Sequence, residues 1–208
     1  MRRLTLAFLM TLVSATLFLT SCQSTPPSAR EQADLCDIFD DRKNWYRAAA
    51  EAERAWGTPI GLQMAIMQAE SSFDSDARPP RERMFFGLLP GGRPSSAYGY
   101  AQAVDGTWET YKRASKNSGA ERDDFDDAVD FIAWYASESR RQAGIPFNNG
   151  GAHYLAYHEG WNGYRRGTWR GKDWLVRKSN RVGQTAARYT TQLDACERSL
   201  RRDWVPFF

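Results

Sequence analysis

Apolar positions along this chain mostly recur three and four residues apart, the spacing of one helix face, and strand-type alternation is weak throughout. From about Asp37 the pattern is helical, with Trp45, Ala48, Ala52, Ala55 and Trp56 at that spacing, and Gly57 ends the run. Thr58-Pro59 predicts the start of a second helix, with Thr58 as N-cap and Pro59 in the first position, where a missing N–H costs nothing. Ile60, Met64, Met67 and Ala69 carry that helix to Glu70. Further helical patterns cover residues 107–115 and the stretch from Asp123-Asp124 to about Ala143, with Phe125, Val129, Ile132 and Tyr135 facing inward. A short one precedes Gly160, and a long one follows Asp173 through Cys196. Residues 74–98 break the regularity: Pro79, Pro80, Pro90 and Pro94 with Gly87, Gly91 and Gly92 rule out a long helix there. The expected fold is mainly α, with no internal repeat.

The N-terminus is a separate problem. Arg2 and Arg3 precede a mostly apolar stretch over residues 4–19, which is short for a membrane span. Leu19-Thr20-Ser21-Cys22 follows, placing small residues before a cysteine. The segment resembles a bacterial lipoprotein signal, whose cysteine becomes the acylated N-terminus. The resemblance implies a signal peptide over 1–21, lipidation and membrane attachment at Cys22, a polar, proline-containing tether over 22–35, and one domain over 36–208. Gln23 stands where Asp would imply inner-membrane retention, so the expected location is the outer membrane, facing the periplasm. An ordinary secretory signal and an uncleaved anchor are the alternatives.

Composition fits one globular domain: 42% of the 208 residues are hydrophobic, and eight Trp, nine Tyr and eleven Phe supply enough burial to exclude disorder. A formal charge of +3 is too small for the basic face of a nucleic-acid binder. With Cys22 assigned to lipid, Cys36 and Cys196 remain, and in an oxidising compartment they are expected to form a disulfide; two separate buried thiols are the alternative. These two cysteines with His153 and His158 give no usual metal-ligand spacing, so neither metal nor organic cofactor is expected. Nothing in the sequence identifies a protein partner.

Glu70 is the first candidate for chemistry. It closes an apolar helix, where lost hydration and the negative end of the helix dipole both oppose ionisation. A carboxyl held protonated toward neutral pH suits a general acid, although a Glu near a helix end is more often a solvated surface group. Three segments then appear in order: Glu70-Ser71-Ser72-Phe73; Gly99-Tyr100-Ala101-Gln102 with Gly106-Thr107-Trp108; and Ala156-Tyr157-His158-Glu159-Gly160. Over residues 45–189 the chain resembles the catalytic domain of the soluble lytic transglycosylases, a family with a goose-type-lysozyme-like α fold and a substrate cleft. The resemblance implies an enzyme that cleaves peptidoglycan glycan strands between N-acetylmuramic acid and N-acetylglucosamine, leaving 1,6-anhydro ends, with Glu70 as acid and then base.

The same resemblance places Gln102 and Tyr157 in the glycan cleft, against the alternatives of a helix-proximal polar residue and a core aromatic. Ser95 and Ser96 are further candidates for sugar contact, and Ser71 is expected to support the Glu70 turn. Two departures stand out. Tyr100-Ala101 replaces the family's Leu-Met, so Ala101 is expected to widen a subsite while Tyr100 packs elsewhere. His158 replaces an Asn and brings a group whose charge changes near neutral pH. Asp74 and Asp76 are expected to cap or solvate the loop, and Glu159 receives no role. Residues 161–170 mix aromatic and cationic groups that suit either sugar faces and carboxylates or a core with a solvated rim. A hydrolytic muramidase or chitinase on the same fold and a non-enzymatic peptidoglycan-binding lipoprotein are the alternative functions.

Overall fold

The sequence Ile-Gly-Leu-Gln-Met-Ala-Ile-Met over residues 60–67 has no polar stripe, and a helix that is apolar all round is stable only when enclosed. In the computed structural model, which describes residues 25–81, 83–84 and 89–204, all eight of these residues are buried in α3 (Ile60–Ser71). The enclosing helices are α1 (Leu35–Asp41), α2 (Lys43–Trp56), α4 (Asp105–Ser115), α5 (Phe125–Ala143), α6 (Gly150–Arg166) and α7 (Asp173–Trp204). α3 packs on α7, α5 and α2, and α6 bridges α5 and α7. The signal segment, Cys22 and the start of the tether lie outside the described residues. Among the described residues, no helix is long and apolar enough to cross a membrane.

The mainly α expectation holds, and its deviations have local causes. The single pattern from Asp37 to Trp56 is two helices, because Arg42 leaves helical geometry with φ −128° and ψ 69°. That corner lets α1 pack on α7 while α2 packs on α5. Thr58 is no cap: its hydroxyl donates to the Ala133 carbonyl at 2.8 Å, and Pro59 stands at the N-cap position with ψ 139°. Residues 74–98 contain a short antiparallel pair, β1 (Arg83–Met84) with β2 (Leu89–Pro90), that the proline content hid. Gly160, at φ 71° and ψ 159°, breaks helical geometry where the sequence places a helix end, and a second helical stretch continues α6 beyond that kink.

Two devices hold the enclosure together. The Cys36–Cys196 disulfide joins α1 to α7 with Cα atoms 6.1 Å apart across 160 residues of chain, a closure that typically stabilises by about 2–4 kcal/mol. Beside it the Tyr189 hydroxyl donates to the Gln32 carbonyl at 2.6 Å, and the Gln192 amide accepts from Leu35 N–H at 3.0 Å. The second device is close approach. A Cβ on Gly61 would lie 2.8 Å from the Thr190 nitrogen and 2.9 Å from the Ala186 carbonyl, so α3 and α7 meet at a distance only glycine permits. Gly61→Ala is therefore expected to lower stability by roughly 1–3 kcal/mol in denaturant unfolding. Gly106→Ala, whose Cβ would meet nothing within 4 Å, is expected to raise stability by up to about 1 kcal/mol.

Candidate active site

The chain leaves α3 through two consecutive left-handed residues, Ser72 at φ 54° and Phe73 at φ 63°. Each such residue costs about 1–2 kcal/mol without glycine. The turn drives Phe73 to full burial against Trp45, with ring centroids 5.8 Å apart, and burial of a Phe side chain offsets a cost of that size. The Ser72 N–H closes the helix on the Gln68 carbonyl at 3.0 Å, and Ser71 Oγ donates back to the Met67 carbonyl at 3.3 Å. Glu70 is thereby fixed at the mouth of an otherwise enclosed helix, partly exposed to a cleft of about 520 Å³.

The second wall comes from the turn at residues 98–103, where Tyr98 bridges Ala103. Gly99 has φ 74°, and a Cβ there would collide with the Arg122 carbonyl, so the first residue of this segment must be glycine. Tyr100 and Ala101 both point inward, 2% and 0% exposed. Tyr100 joins the Trp45–Phe125 stack, but Ala101 does not widen a subsite: its side chain is core, and its carbonyl accepts the Tyr157 hydroxyl at 2.6 Å. Gln102, at φ 47°, faces the cleft, and its Nε2 donates to the carbonyls of Ala77 at 2.7 Å and Gly99 at 2.9 Å. Both amide donors hold the wall together, leaving the amide oxygen as the group open to a ligand.

The third wall is α6. Tyr154, Tyr157 and His158 sit at i, i+3 and i+4, one face of a helix turned toward Glu70. Burial pushes the Glu70 carboxyl above its ordinary range; the Lys178 ammonium, a hydrogen bond from Tyr154 and His158 oppose that shift without cancelling it. Burial and the neighbouring Glu70 charge in turn raise both tyrosine hydroxyls, which stay protonated as donors. Ser95, Gln102, Tyr157 and His158 line the same cleft as Glu70, together with Phe131, Tyr135 and Glu159. Ser96 is not among the lining residues. Its Oγ accepts the Asp105 N–H at 3.1 Å and so secures the start of α4.

Glu159 and Tyr154 carried no sequence-based role. Desolvation works against the Glu159 charge, but hydrogen bonds from Lys172 at 2.6 Å, from Thr168 and from His158 Nδ1 at 3.0 Å overcome it and hold the carboxyl at about 2. Asp74 and Asp76 stay in the loop: Asp74 Oδ1 accepts the Asp76 N–H at 2.9 Å, and Asp76 accepts from the Tyr98 hydroxyl at 3.2 Å. Residues 161–170 pack partly on α5 and partly on themselves. Trp161 donates to Ser139 Oγ at 3.0 Å, Trp169 stacks on Tyr164, and Arg165 binds Asn162 at 2.6 Å. Trp161 and Arg166 nevertheless line a second recess of about 330 Å³ that shares Thr107, Tyr135, Glu159 and Gly160 with the first. Among the described residues no cluster of His, Cys, Asp and Glu is placed to hold a metal ion.

The two cleft carboxyls predict opposite pH signatures in stability. Glu70 is raised in the folded state, so its contribution is present below 4.5 and is lost as pH rises through its folded value. Glu70→Gln is expected to be more stable than the parent near about pH 8, with the difference vanishing near about pH 4. Glu159 is lowered, so its contribution is present above 4.5 and is lost as pH falls toward about 2. Glu159→Gln should therefore be destabilised most at neutral pH. Thermal unfolding across this range checks both signs.

Comparison with curated proteins yields no match. A family model described as Transglycosylase SLT domain matches residues 10–196, a span that includes all of α1 to α6, most of α7 and every residue lining the cleft. With nearly the whole chain matched, it belongs to the Transglycosylase SLT domain family.

Proposed function

We propose that the protein is a peptidoglycan lytic transglycosylase in which Glu70 is the acid and then the base. The observation that carries this reading is the contrast between the two cleft carboxyls: Glu70 is raised by burial, while Glu159 is held ionised by three donors. In the first step Glu70 gives its proton to the glycosidic oxygen, the bond from muramyl C1 to that oxygen breaks, and N-acetylglucosamine departs with a hydroxyl. In the second, the C6 hydroxyl of the same muramyl residue bonds C1, and its proton returns to Glu70. No water is consumed, and one carboxyl suffices because the nucleophile belongs to the substrate. Buried tyrosine hydroxyls and the Gln102 oxygen supply fixed polar groups around the reacting sugar.

Lipid attachment at Cys22, with outer-membrane location facing the periplasm, is proposed together with this activity. It rests on the Leu19-Thr20-Ser21-Cys22 segment and on Gln23 after it. The anchor would hold the cleft within reach of the glycan layer.

Purified peptidoglycan treated with the protein is expected to release anhydro-muropeptides, read by mass as one water lighter than hydrolysis products. Glu70→Gln is expected to lower release by about 10²–10⁴-fold. Because the first step needs the protonated acid, the rate of the parent should fall as pH rises through the raised Glu70 value. Reducing-end products would instead make the protein a hydrolase and turn attention to Glu159. Glycan binding without turnover would make it a peptidoglycan-binding protein.

A further inference from the structure

Trp174, Lys178, Arg181 and Thr185 follow one another on α7 at intervals of four, three and four residues, which puts them on one helix face. The face begins at the cleft: Trp174 is 50% exposed, and its ring meets the edge of His158 at 5.1 Å. It continues past the Lys178 ammonium, 5.3 Å from the Tyr154 ring centre and close enough to act on the Glu70 charge. It ends in a recess of about 320 Å³ between α7 and the last turns of α3, lined by Gln68, Ser72, Lys178, Arg181 and Thr185 among others. Glu70 thus has the glycan cleft on one side and this recess on the other, since Ala69 and Ser72 border the recess while Glu70 borders the cleft.

The recess has an excess of positive charge. Neither Lys178 nor Arg181 is in an ion pair among the described residues, and no carboxylate lines the recess. Elsewhere on this surface Lys172 pairs with Glu159 and Arg201 with Glu197. A guanidinium and an ammonium lining one hollow suit a carboxylate, which Arg can bind through two parallel hydrogen bonds.

We propose that this recess binds a carboxylate carried as a substituent on the glycan, so that Lys178 and Arg181 select acidic over neutral strands. The proposal rests on the peptidoglycan reading of the cleft and deepens it. Two sources have this chemistry: the lactyl group of the muramyl sugar and the acidic residues of a peptide attached to it. Trp174, half exposed beside His158, offers a flat apolar surface on the same helix face. Occupation would also withdraw part of the Lys178 attraction from the Glu70 carboxylate, favouring the protonated acid that the first step requires.

The test is binding to Glu70→Gln protein, which leaves ligands intact and separates this proposal from the question of turnover. Three soluble probes are titrated: a neutral chitooligosaccharide, a peptide-free oligomer of N-acetylglucosamine and N-acetylmuramic acid, and the same oligomer bearing an acidic tripeptide. Each is compared with and without Arg181→Glu, a change at an exposed position, and with Arg181→Lys as the charge-conserving variant. The expected result is that acidic probes bind more tightly than the neutral one. Arg181→Glu should weaken them about tenfold or more, and Arg181→Lys, which keeps the charge but not the paired N–H donors, should recover only part of the loss. Weakening of the peptide-free oligomer assigns the lactyl carboxylate; weakening of the peptide-bearing probe alone assigns the peptide. Equal losses for neutral and acidic probes, no change on Arg181→Glu, or no preference for acidic probes would overturn the proposal. Absence of anhydro products from the parent, by contrast, would count against the lyase activity alone.

Discussion

A helix with no polar face has to be enclosed along its length, and whatever polar group stands at its last turn inherits the dryness of that enclosure. α3 meets this condition with eight consecutive buried residues ending three positions before Glu70. The rest of the domain is arranged to satisfy it. α2 and α5 close one side around the Trp45–Phe125 stack, whose ring centroids are 4.0 Å apart, and α7 closes the other through the contact that Gly61 permits. The carboxyl is raised because the helix beneath it is buried, and it is reachable because the chain turns away through Ser72 and Phe73.

α7 links stability to the site. Its far end carries Cys196 and Tyr189, which tie down the N-terminal segment. Its near end carries Lys178 beside Glu70, and Lys172, just ahead of it, holds Glu159. A shift of this helix would therefore alter the packing of α3 and the charge around both cleft carboxyls together. The cleft walls are equally interlocked. Tyr157 is bound to the Ala101 carbonyl and Gln102 to the Ala77 and Gly99 carbonyls, so these cleft-lining groups are held before any ligand arrives. Such preorganisation costs nothing at the moment of reaction.

Local signals read well from the sequence. The α3 pattern, the stop at Gly57 and the start of α5 after Asp124 follow from spacing and from glycine and aspartate chemistry, whereas α4 starts at Asp105, two residues ahead of the expected Thr107 and without a side-chain cap. The placement of Glu70 at the mouth of an apolar helix was legible for the same reason. What escaped depends on groups distant in the chain. Glu159 is ionised because Thr168 and Lys172 fold back onto it across the Gly160 kink. Ser96 looked like a sugar ligand until α4 claimed its hydroxyl, and Ala101 looked like a subsite residue until the Gly99 turn rotated it inward. Tyr154 left a usable trace, because it shares the i, i+3, i+4 face with Tyr157 and His158.

The central claim is that burial of α3 keeps the Glu70 carboxyl protonated beyond the range of an ordinary glutamate. Carbon-13 NMR of glutamate side-chain carboxyls, with Glu70 assigned by its loss in Glu70→Gln, measures this directly. The account predicts a Glu70 midpoint above the unperturbed 4.5, and a Glu159 resonance still ionised where Glu70 has taken up its proton. A Glu70 midpoint at or below 4.5 would contradict it, since Lys178, Tyr154 and His158 would then outweigh the burial that the account makes dominant.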